Sequence, residues 1–74
     1  MLTAEEIVTR IEAIAHADGH HTFVSGRLRI DAEYAEDLGR VFFRINGIGA
    51  LRQQTIRAIE QARLNPTRMA MIQL

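Results

Sequence analysis

The chain has 74 residues and no cysteine, so nothing covalent staples its fold. A chain this short buries a smaller share of its surface than a larger one. With no disulfide or thiolate metal site to help, self-association is the usual remaining support. The expectation is one small domain, residues 1–74, that forms a homodimer. No apolar run reaches membrane-spanning length, and the first residues lack a basic stretch followed by an apolar core. A cytoplasmic protein with no membrane partner is therefore expected.

Lysine is absent, and all nine basic residues are arginine. They balance nine acids, but unevenly along the chain. Residues 1–37 hold three arginines and eight acids, a balance of minus five, whereas residues 38–74 hold six arginines and one acid, a balance of plus five. The arginine fork suits phosphates and carboxylates. The asymmetry is compatible with an anionic partner for the second half, and equally with two halves that neutralise each other on folding.

The start reads as a helix over about 4–17. Thr3 and Glu6 have capping-box spacing, and Leu2 and Ile7 stand where a hydrophobic staple would. Ile7, Ile11 and Ile14 recur at helical spacing with Val8 and Ala15 beside them, and Gly19 can take the left-handed position after the last turn. "HTFVSGRLRI" then alternates as strand does, either as one strand kinked at Gly26 or as a tight hairpin turning at Ser25-Gly26. In that hairpin Phe23 faces Leu28.

Residues 32–45 could break at Gly39 and resume as a strand, "RVFFRI". On a helical wheel, however, Tyr34, Ala35, Leu38, Val41, Phe42 and Ile45 share one side, and Glu33, Glu36, Asp37, Arg40 and Arg44 share the other. That partition favours one amphipathic helix capped by Asp31, despite a glycine costing roughly 1 kcal/mol inside it. Phe43 alone falls on the charged side, which marks it as an interface residue, the contact of a homodimer, unless the C-terminal "MAMIQL" folds back to cover its ring. "INGIG" comes next as a bare glycine bend, and a helix over about 50–63 buries Leu51, Thr55, Ala58, Ile59 and Ala62. Asn65-Pro66 stops it, and "RMAMIQL" reads as a final short strand or a covered tail. The predicted class is α+β: helix, strand or hairpin, two helices joined by a glycine hairpin, short C-terminal strand.

The stretch "INGIGALRQQTI", with Gly47-Ile48-Gly49 and then Ile56, resembles the helix-hairpin-helix motif of DNA-binding proteins over residues 38–62. The resemblance implies that the amides of Gly47 and Gly49 meet a DNA phosphate, with Arg52 as a basic neighbour and Arg57 further along the same helix. Bare amides at a helix start do attract anions. "GRLRID", with the helices expected over 32–45 and 50–63, is similar to the strand–helix–helix order of ribbon-helix-helix repressors. There two chains pair strands into a ribbon that enters the major groove, and Arg27 and Arg29 have the parity to read it.

"HADGHH" gathers His16, Asp18, His20 and His21, but without an i,i+4 histidine pair it reads as a helix end favoured by the dipole, so no metal is expected. The single serine, Ser25, has no base with an orienting partner, so no catalytic residues and no cofactor are expected and the chain is not an enzyme. The sequence thus points to a small DNA-binding regulator or accessory protein. The alternative is a small phage- or plasmid-type inhibitor or adaptor that occupies a protein partner without touching nucleic acid.

Overall fold

The computed structural model describes residues 2–63 and 70–73, with side chains through residue 62. Its elements are α1 (Ala4–Asp18), β1 (His20–Ser25), β2 (Leu28–Ala35), β3 (Arg40–Asn46), α2 (Ala50–Arg63) and β4 (Ala70–Gln73). The class is α+β. The sheet order is β1-β2-β3-β4, antiparallel through β1, β2 and β3, with the backbone of β4 parallel to β3. Parallel neighbours need a crossover, and α2 lies within it.

Local chemistry sets the start of α1. The Thr3 hydroxyl accepts from the Glu6 amide at 3.1 Å, and the Glu6 carboxylate accepts from the Thr3 amide at 3.2 Å. These are the two reciprocal bonds of a capping box. Gly19 ends the helix at φ 89°, and its amide donates to the Ala15 carbonyl. The helix buries Ile7, Val8, Ile11 and Ala15, while Ile14 stays exposed.

Residues 20–35 form a hairpin rather than one kinked strand. Its two turn residues are Gly26 and Arg27, one position later than the turn expected at Ser25-Gly26. Phe23 accordingly pairs with Ile30 and not with Leu28. Gly26 has φ 58° while Arg27 keeps a negative φ, the arrangement of a two-residue turn with glycine in its first central place.

The expected amphipathic helix over 32–45 is not formed. Residues 28–35 and 40–46 are strands, joined by a turn in which Leu38 and Gly39 donate to the Ala35 carbonyl and Gly39 takes φ 64°. Asp31 is therefore no helix cap but the middle of β2. The reason is a period of two that the helical wheel obscures. Leu28, Ile30 and Ala32 alternate with Arg29, Asp31 and Glu33, and Val41, Phe43 and Ile45 alternate with Phe42 and Arg44. Burial tracks that alternation. Phe43, the residue that does not fit the wheel, is 0 % exposed in the chain's own core. It cannot serve as the dimer contact expected of it.

The core is one cluster between the helices and one face of the sheet, with Thr55, Ile59 and Ala62 of α2 closing it. Thr55 donates to the Leu51 carbonyl at 2.7 Å, so its buried hydroxyl is satisfied. The other sheet face is open and carries Thr22, Val24, Arg29, Asp31, Glu33, Phe42 and Arg44. The expected stop at Asn65-Pro66 lies outside the described residues. No helix among the described residues is long and apolar enough to cross a membrane.

Candidate nucleic-acid interface

The hairpin register places the two ends of the sheet in chemical contrast. At one end stand Glu36 and Asp37 in the β2–β3 turn, with Asp18 close by, because the Tyr34 amide donates to the Gly19 carbonyl. At the other end stand the β1–β2 turn, with Arg27, and the exit of β3 into the glycine bend. Arg29 lies opposite Asn46 in the β2–β3 register, so it faces the same exit.

The bend connects β3 to α2, so it does not join two helices. The helix that a helix-hairpin-helix arrangement needs ahead of the bend is replaced by β3, and the first helix of a strand–helix–helix order is replaced by the β2–β3 hairpin. What the bend does have is a tight seat. Gly47 at φ 116° lies so close to the β1–β2 turn that a Cβ there would overlap the Arg27 carbonyl oxygen. Gly49 has φ 113° with open space around its Cα. The first glycine is needed for close approach as well as for its backbone angle, the second for its angle only.

This seat brings the backbone of Arg27, from the hairpin turn, against Gly47. Residues 45–49 with Arg52 and Gln53 line an open depression of about 430 Å³ at the start of α2. Arg52 is half-buried along it. The first turn of α2 carries no acid, so no carboxylate of its own answers the free amides there. Among the described large apolar side chains the two most exposed are Ile48 in the bend at 65 % and Val24 beside Arg29 at 64 %.

Arg29 is held by a carboxylate. Its Nε donates to the Asp31 carboxylate at 3.1 and 3.4 Å, and one terminal nitrogen donates at 3.3 Å. Thr22 also donates to Asp31, at 2.7 Å. The Thr22 hydroxyl, followed by the hydrogen bond and charge of Arg29, holds the Asp31 carboxyl below the usual carboxylate range. His20 lies 4.0 Å from the same carboxylate. Among the described residues, Arg29 is the only arginine in an ion pair.

Among the described side chains, the arginines of the second half do not share one face. Arg40 and Arg44 lie on the open sheet face, Arg40 toward the acidic end and Arg44 opposite Asp31. Arg57 is exposed five residues beyond Arg52, about 140° around the helix axis from it, and does not join the bend. Arg44, which the helical wheel assigns to a charged helix side, stands instead on this strand face opposite Asp31. Its signal is the strand alternation of "RVFFRI", which a helical reading conceals. Among the described residues no three histidine, cysteine or acidic side chains cluster to hold a metal. Compared with known proteins, the chain matches no family model, no curated protein and no solved structure.

Proposed function

We propose that this chain is a small DNA-binding regulator or accessory protein that grips the phosphate backbone at the arginine end of its sheet. The observation that carries the reading is the depression at the start of α2, where the bare amides of the bend lie with Arg52, and the seat of Gly47 on the Arg27 backbone holds that bend against the β1–β2 turn. Arg29 supports it from the open face, its guanidinium oriented by Asp31. Backbone amides at a helix start and arginine forks are the groups that bind phosphate oxygens. Such contacts position a duplex without reading its sequence. In this reading the resemblance of the bend to a DNA-binding hairpin is one of local chemistry rather than of architecture.

Arg52→Ala and Arg10→Ala test it as a pair. Arg10 lies on α1 with Glu5 and Glu6. The first variant should weaken duplex DNA binding and reduce the salt slope by about one; the second should leave both near wild type. Equal losses would reduce the bend to a connection.

A second reading, a protein-binding inhibitor or adaptor, is favoured by one observation, the exposed Val24 and Ile48 at this same end. Two aliphatic tips among arginines also suit a protein surface. Under that reading Ile48→Asp abolishes partner binding and duplex DNA does not bind at all.

A further inference from the structure

Among the described residues β1 is an edge of the sheet and pairs with β2 alone. In a two-residue hairpin the flanking pair, here Ser25 and Leu28, exchanges both hydrogen bonds, and the pattern then alternates. Phe23 and His21 are thus bonded to β2, and the backbone groups of His20, Thr22 and Val24 point outward to the free edge. Folded chains normally blunt such an edge with lysine, proline or a bulge. β1, "HHTFVS", has no lysine, arginine, acid or proline, and its register with β2 is unbroken. Phe23 is only half-buried on the core side of this edge, and Val24 is exposed on the other.

From these features we infer that two copies of the chain pair antiparallel through β1, about a twofold axis at Phe23, into one continuous sheet. Charge commits the occupant to a second copy. Antiparallel pairing lays the arginine end of one chain along the acidic end of the other. With Phe23 opposite Phe23, Arg27 falls opposite Gly19 of the second copy and next to its Asp18, and the symmetry uses that contact twice. Both Arg27 and Asp18 are exposed in the single chain and make no ion pair among the described residues. Thr22 and Val24 exchange the edge hydrogen bonds, and the two half-buried Phe23 rings meet as a cross-strand aromatic pair. The interface shares Arg27 with the nucleic-acid reading, so its test is made without nucleic acid and also reads Val24, which that reading does not use.

The test is sedimentation of the full chain, without nucleic acid, from micromolar to near-millimolar concentration, with circular dichroism as the check on folding. Wild type should reach twice the chain mass. Val24→Pro removes an outward amide that the single chain does not use. Each dimer loses two such donors, so the dissociation constant should rise at least about tenfold with the fold retained. Arg27→Glu should weaken the dimer, and Asp18→Arg added to it should restore the dimer. A wild type that stays at the mass of one chain overturns the inference, as does a folded Val24→Pro chain with unchanged affinity. If Val24→Pro does not fold, the charge pair decides: weakening by Arg27→Glu and recovery in the double variant support the interface, and an unchanged dissociation constant overturns it.

Discussion

Replacing Gly47 by alanine should be the most damaging small change in the bend, and Gly49 supplies its control. The two glycines have nearly the same φ, 116° and 113°. Forcing an L-residue into such a conformation costs about 1–3 kcal/mol, and this cost is common to both sites. Only at Gly47 does the new methyl group meet backbone, the Arg27 carbonyl oxygen. Relieving that overlap means shifting the bend or the β1–β2 turn, and overpacking of this kind costs a further 1–3 kcal/mol or so. Gly47→Ala should therefore lose about 2–6 kcal/mol and Gly49→Ala about 1–3. A domain of this size has roughly 4–11 kcal/mol in total. Each kcal/mol moves the melting temperature of such a domain by about 4–8 °C, so the gap between the variants is readable by thermal and urea unfolding monitored by circular dichroism. Equal losses at the two positions would refute the close approach of the bend to the Arg27 backbone.

Two further outcomes concern the packing and the Asp31 network. Phe43→Ala should cost about 3–5 kcal/mol in urea unfolding, as a buried aromatic truncation does, whereas Phe42→Ala on the open face should cost under about 2 kcal/mol; a reversed order would contradict the inward face assigned to β3. Asp31 is held below its unfolded pKa by Thr22 and Arg29, so its contribution is present above that unfolded value, near 3.9, and is lost as pH falls through the lower folded value. Asp31→Asn should accordingly be less stable at neutral pH and lose less stability than wild type on acidification below about pH 4; parallel pH profiles for the two proteins would remove the network's role.

The parts of the fold that sequence reasoning reaches are those set by local chemistry. The Thr3–Glu6 capping box and Gly19 bracket α1, and the apolar stripe of α2 over 50–63 is a helix that buries Thr55, Ile59 and Ala62 as expected, with Leu51 and Ala58 half-buried. The middle of the chain reads falsely as helix because its strands are short and its turn, Glu36 to Gly39, carries charges that also fit a helix face. Two strands of opposite direction can mimic a helical partition when a turn of the right length links them. Phe43 is the discordant residue, and a period of two explains it where a period of 3.6 does not. At the candidate site, Arg27, Gly47, Gly49 and Arg52 stand out in the sequence as separate features. The approach of Gly47 to the Arg27 backbone joins residues twenty apart in sequence, and no local pattern encodes it. The same limit hides the free edge of β1, which becomes visible only when the strand order is known.

The most direct measurement of the proposed function is a titration of duplex DNA with the full chain at several salt concentrations. Each neutralised phosphate contributes about 0.9 to the slope of log affinity against log salt, so engagement of three phosphates by Arg27, Arg29 and Arg52 predicts a slope near −2.7. Substituting Arg52 should remove about one phosphate's share of it. Binding that does not change with salt, or no binding at the lowest salt, would contradict the account.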